Sequence, residues 1–173
     1  MRRRSLVVVA ILVSGAFLVA SLAVAGGGKR NLKAGDLSSY EENPDLSTTG
    51  AGSFTVTIDD SEQSLSYELS YSGLESDVTQ AHVHFGKTAI NGGISFFLCS
   101  NLGNGPAGTP PCPARSGTVA RTVGAADVVG PTSQGIPAGA YGELVAAMRA
   151  GHTYANVHTA TFPTGEIRAQ IND

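Results

Sequence analysis

Between Ser53 and Ser72 the chain alternates apolar and polar residues with a period of two, twice over, around one short polar turn. Phe54, Val56 and Ile58 alternate with Ser53, Thr55 and Thr57. Asp59-Asp60-Ser61-Glu62-Gln63 then breaks the pattern. Leu65, Tyr67, Leu69 and Tyr71 follow, alternating with Ser64, Ser66, Glu68, Ser70 and Ser72. Successive side chains of a strand point to opposite faces, so this pattern predicts a β-hairpin with one buried face.

The rest of the chain extends that reading. Strands are expected over residues 32–39, 78–85, 92–98 and 118–123. A closing hairpin pairs 154–159 with 166–171 across Phe162-Pro163-Thr164-Gly165. Two short helices interrupt the strands. Residues 125–129 make about one turn before Gly130-Pro131, and residues 140–150 space Leu144, Val145 and Met148 at helical intervals before Gly151 ends the run. Eight short strands separated by turn residues predict an all-β fold, an antiparallel sandwich or barrel with its helices in one long connection. The absence of tryptophan and the 22 glycines fit a turn-rich domain of that kind.

The first 25 residues read as an export signal. Arg2-Arg3-Arg4 supply a basic start, residues 6–20 are apolar apart from Ser14 and Gly15, and Ala23-Val24-Ala25 has the small-x-small pattern of a cleavage site. The competing reading is an uncleaved anchor, since twenty residues reach across a bilayer. In that case alone the chain would contact a membrane. No lipobox cysteine is present. Residues 26–31 read as a flexible leader and 32–173 as one domain, large enough for a core of its own. Removing three arginines and no acid takes the formal charge from -3 to -6, which argues against nucleic acid as a partner.

Cys99 and Cys112 are the two cysteines of a chain read as secreted or periplasmic, so a disulfide is expected. It would pin the Gly- and Pro-rich residues 100–111 and contribute roughly 2–3 kcal/mol. Glu41, Glu42, Asp59, Asp60 and Glu62 read as solvated loop or turn acids. The serines form no Gly-x-Ser-x-Gly elbow and the glycines no phosphate-binding loop, so the residues propose no complete catalytic apparatus.

Three of the four histidines fall on two distant strand segments, His82 and His84 on one and His158 on the other. Residues two apart share a strand face, so His82 and His84 project together. If their strands are neighbours, the three imidazoles offer the ligands of a mononuclear copper or zinc site, redox-active in the copper case, because nitrogen donors suit those ions better than magnesium or calcium; this is the alternative to a binding or structural role. The competing reading is a polar face on which Asn156 and His158 pair with Glu166, Arg168 and Gln170. That reading makes the domain a binding or structural module for an extracytoplasmic ligand whose chemistry the residues do not specify. His152 lies just past a helix end, too far along the chain from His158 to share a site when extended.

Two longer runs carry a family likeness. Val78-Thr79-Gln80-Ala81-His82-Val83-His84-Phe85-Gly86, with Gly92-Gly93-Ile94 and Phe97-Leu98 after it, resembles the first half of a CHRD (chordin) domain. Met148-Arg149-Ala150-Gly151 and the tail from Tyr154 through Asn156-Val157-His158-Thr159 to Pro163-Thr164-Gly165-Glu166-Ile167-Arg168-Ala169-Gln170 resemble its closing half. Thr164 departs from the pattern where glycine is common, and Asn43 precedes a single proline where a Val-Pro or Pro-Pro step is frequent. The resemblance implies a β-sandwich in an exported microbial protein. The growth-factor binding of animal chordins is credited to other modules and does not carry over. His82-Val83-His84-Phe85-Gly86 is also similar to the copper-binding strand of copper-zinc superoxide dismutases. The stretch 85–151 lacks the further histidines of a binuclear site, so the zinc half of that likeness is missing.

Overall fold

Among the described residues, eight strands pair in one continuous antiparallel sheet. The computed structural model describes residues 28–61 and 63–172, so the expected export signal lies outside it. The strands are β1 (Lys29–Ser38), β2 (Ala51–Asp59), β3 (Ser64–Ser72), β4 (Val78–Phe85), β5 (Gly93–Ser100), β6 (Gly117–Val123), β7 (Thr153–Thr159) and β8 (Ile167–Asn172). Their order across the sheet is β5-β4-β7-β8-β1-β2-β3-β6. The predicted hairpin is β2 with β3, in unbroken register from Ala51 opposite Ser72 to Asp59 opposite Ser64.

The two ends of this order, β5 and β6, meet along a seam and nearly close the sheet into a barrel. A disulfide between Cys99 in β5 and Cys112, five residues before β6, spans the seam. Tyr67 of β3 also donates its hydroxyl to the Leu98 carbonyl of β5 at 2.6 Å. The alternation read from the sequence sets what lies inside. Phe54, Ile58, Leu65, Leu69, Phe96, Leu98, Ile167 and Ile171 are fully buried. Each such side chain contributes roughly 1.5–3 kcal/mol relative to exposure.

The connection from β6 to β7 holds an α-helix, α1 (Tyr141–Arg149). It buries Leu144, Val145, Ala147 and Met148. Tyr141 donates to the Ser64 carbonyl and Arg149 pairs with Asp60 at 2.6 Å, so the helix sits over the β2–β3 turn. Gly151 stops it in the left-handed region at φ 68°, with Gly151 N–H donating to Met148 O and His152 N–H to Ala147 O. That pair of bonds is a Schellman ending, which a residue without a Cβ enters most easily. The predicted turn at 125–129 is a 3₁₀ turn, Ala125–Asp127. Among the described residues, no helix is long and apolar enough to cross a membrane.

One boundary differs from expectation. Lys29, Arg30 and Asn31, read as flexible leader, belong to β1 and pair with Asp59, Ile58 and Thr57. Their side chains stay exposed, so composition gave no sign of a strand, while the backbone gains a ladder and Lys29 reaches Asp59 at 3.4 Å.

Candidate functional site

The core face of β4 and β7 is lined by Ala81, Val83, Ala155 and Val157. The residues between them therefore point to the opposite face, and these include His82, His84, Tyr154, Asn156 and His158. Because β4 and β7 are neighbours, with His82 opposite Asn156 and His84 opposite Tyr154, the distant histidines meet. Register shifts in the β4–β5 ladder flank His82 and His84, a position where bulges commonly re-aim side chains.

A face opposite the core would ordinarily be wet. Here His82 is 0 % exposed, His158 6 % and His84 7 %. Three segments cover them. The β1–β2 connection places Glu42 against Asn156, whose amide donates to Glu42 Oε1 at 2.5 Å. The β4–β5 loop is clasped by Arg168 of β8, which donates to the carbonyls of Lys87 at 3.0 Å and Ile90 at 2.9 Å and to Asn91 Oδ1 at 3.2 Å. The β7–β8 turn brings the Pro163 carbonyl to His158 Nδ1 at 3.1 Å. Gly165 in that turn leaves room for the cover, since a Cβ there would stand 2.6 Å from both Asn156 Nδ2 and Glu42 Oε1.

Hydrogen bonds fix the imidazoles' protons. A carbonyl only accepts, so His84 Nδ1 carries the hydrogen it gives to Gly92 O at 2.9 Å, and His158 Nδ1 the hydrogen it gives to Pro163 O. Each ring is thereby left with a lone pair on Nε2. His158 Nε2 accepts from His82 Nδ1 at 3.1 Å, so the lone pair of His82 also falls on Nε2. His82 Nε2 and His84 Nε2 are buried and meet no hydrogen-bonding group. One ligand nitrogen from each of the three histidines lies within 4.8 Å of the others.

Burial disfavours the charged form of every ring. It pushes His82 down to about 2, helped by the neighbouring His158 and His84. His84 falls to about 4 for the same first reason, against a partial opposing effect of its bond to Gly92, and His158 also falls to about 4. All three are neutral bases at physiological pH.

Around them runs an aromatic and cationic shell. The His84 ring stacks on Tyr154 at 4.9 Å and 4°, and the Arg168 guanidinium lies 3.4 Å over the Tyr154 ring centroid. Tyr154 accepts a hydrogen bond from Gly92 N–H at 3.0 Å. Phe97 of β5 sets its edge geometry against His82 at 4.5 Å. Tyr154, Phe97 and Gly92 stand in the family-like runs of the sequence but carry no site role there, although Tyr154 lies two and four residues before Asn156 and His158 on the same strand face.

The remaining predicted residues are placed as follows. Asn156 meets Glu42 and the Ile167 carbonyl, and Arg168 meets the loop and Tyr154; neither bonds His158. Gln170 donates to the carbonyls of Gly86 and Gly151. Glu166 precedes β8, and its carboxylate takes hydrogen bonds from the Thr159 hydroxyl at 2.8 Å and the Glu75 amide at 2.9 Å, apart from the histidines. Glu42 corrects the reading of the acids as solvated. It is 8 % exposed, and burial raises it to about 7 against the lowering effects of Asn156 and Arg168.

No curated protein and no solved structure matches the chain. The CHRD domain family matches residues 34–171, a span that takes in part or all of every strand and the whole histidine cluster. The chain belongs to the CHRD domain family.

Proposed function

We propose that this domain works outside the cytoplasm as a single metal-binding module, holding one copper or zinc ion through His82, His84 and His158. The observation that carries the reading is the pair of buried, unpartnered imidazole lone pairs within a cluster whose ligand nitrogens lie inside 4.8 Å. A buried polar atom without a partner is costly, and a metal ion is a partner that a neutral imidazole suits. The hydrogen bond from His82 Nδ1 to His158 Nε2 at 3.1 Å holds two of the rings together, and the Nε2 lone pairs are the ones a metal would draw on. Pro163 O and Gly92 O would serve as the outer partners that fix ligand tautomer and ring orientation. The disulfide and the basic, apolar and small-residue pattern at the start of the chain favour an oxidising, extracytoplasmic location.

Metal analysis of the full chain expressed through a secretory route tests this. Wild type should carry close to one copper or zinc per chain, and H82A/H84A should lose it while keeping its circular dichroism spectrum. H84F, which preserves a ring against Tyr154, guards against a collapse of the double variant. Metal content unchanged by these substitutions overturns the site.

A second reading has its own support, because two of the same imidazoles tie covering loops to the sheet through Gly92 O and Pro163 O. On that reading the cluster is a structural anchor in a module that binds an extracytoplasmic ligand elsewhere. A loss of stability in the double variant with no change in metal content selects it.

A further inference from the structure

We propose that the three-histidine site takes copper as the monovalent cuprous ion in preference to a divalent ion, and that Arg168 sets this preference through its stack on Tyr154. The inference rests on the site being a metal centre and concerns which charge state it accepts.

The first argument is the donor set. Among the described residues, the cluster consists of three histidines, with no carboxylate or thiolate in it. Three neutral nitrogens cancel none of the ion's charge, so the filled site carries the full charge of the ion. Burying charge costs steeply more as the charge grows, and these donors are 0–7 % exposed.

The second argument is the cation behind the site. Arg168 is 2 % exposed and carries a guanidinium cation, and Tyr154 lies between it and His84 in the stack. From behind that stack its charge works twice as hard against a divalent ion as against a monovalent one. Glu42 is the carboxyl that Arg168 influences, but burial holds it near 7, so at pH 6 it is largely neutral and leaves the guanidinium uncompensated.

The third argument is coordination number. A zinc ion held by three protein ligands completes its tetrahedron with water or another exogenous group. The Phe97 ring against His82 and the loops that leave the three rings 0–7 % exposed restrict the access of such a group. A cuprous ion is satisfied by three donors. Imidazole lacks the softness of a thiolate, so the preference arises from charge and coordination number, not from donor softness.

The test compares two affinities on the full chain at pH 6. Cuprous ion, kept reduced with ascorbate under anaerobic conditions, is competed against bicinchoninate, and zinc against a fluorescent chelator. Cuprous copper should bind at least tenfold more tightly. In R168Q the ratio of the two affinities should shrink roughly tenfold, the effect of one unit charge at about 10 Å with an effective dielectric constant of about 20. R168K should keep the ratio, whereas a merely structural loss lowers both affinities together. If R168Q fails to fold, E42Q gives the same information at pH 8, where removing the counter-charge should raise the cuprous preference. Zinc binding as tight as cuprous copper overturns the proposal, as does a ratio indifferent to the charge at 168 and 42. Failure of both ions to bind overturns the metal site itself, a different result from a reversed preference.

Discussion

His82, His84 and His158 on one side and Glu42 on the other make opposite demands on pH. The three imidazoles have folded values of about 2, 4 and 4, below the unfolded value near 6.5. Between 6.5 and 4 the unfolded chain takes up protons that the folded one refuses, so the metal-free domain loses stability as pH falls through that window. Glu42 is raised from 4.5 to about 7, so its contribution is full below 4.5 and is lost as pH rises through 7. Three groups outweigh one, and the urea midpoint of metal-free protein should fall steadily from pH 6.5 to pH 4. E42Q should compare better with wild type at pH 8.5 than at pH 5, because it lacks the buried carboxylate. A midpoint flat across the acid window would contradict the burial of the rings.

At the scale of elements, what was legible followed from local periodicity. Phe54-Val56-Ile58 and Leu65-Leu69 fixed a hairpin because a two-residue period has one structural meaning, and His82 and His84 were placed on one face by the same rule. Asn156 beside Glu42 was not legible. The contact spans 114 residues and joins a strand to an irregular connection with no period of its own. The same limit hid the cover over the histidines, which belongs to three loops and to the Arg168 clasp. At Lys29, exposed side chains concealed a strand that only its backbone pairing defines. The disulfide was legible from the two cysteines and the expectation of an oxidising compartment. Its removal in C99S/C112S should cost roughly 2–3 kcal/mol by chemical denaturation, since it closes a loop with a sequence separation of 13. Metal content should stay constant, because neither cysteine is in the histidine cluster. An unchanged denaturation midpoint would show that the bridge constrains little in the unfolded chain.

The molecule as a whole buries material on both sides of the β4–β7–β8 part of its sheet. Inside lies the apolar core. Outside lies a second, smaller interior, polar and cationic, built from strand side chains and roofed by loops. Ions bound there would stabilise the folded state by mass action, about 2.7 kcal/mol at a free concentration one hundred times the dissociation constant. A melting temperature raised by added metal in wild type but not in H82A/H84A would display that linkage.

The seam between β5 and β6 gives the barrel a built-in line of weakness. Everywhere else neighbouring strands are zipped by backbone ladders, whereas here the described residues are joined by the disulfide, the Tyr67 hydroxyl and the hydrogen bonds of Ser100 and Asn101 to Pro110 and Cys112. Under reductant the wall should begin to peel from this side. Amide exchange should quicken across Gly93–Ser100 and Gly117–Val123 while β1 and β8, deep in the strand order, keep their protons longest.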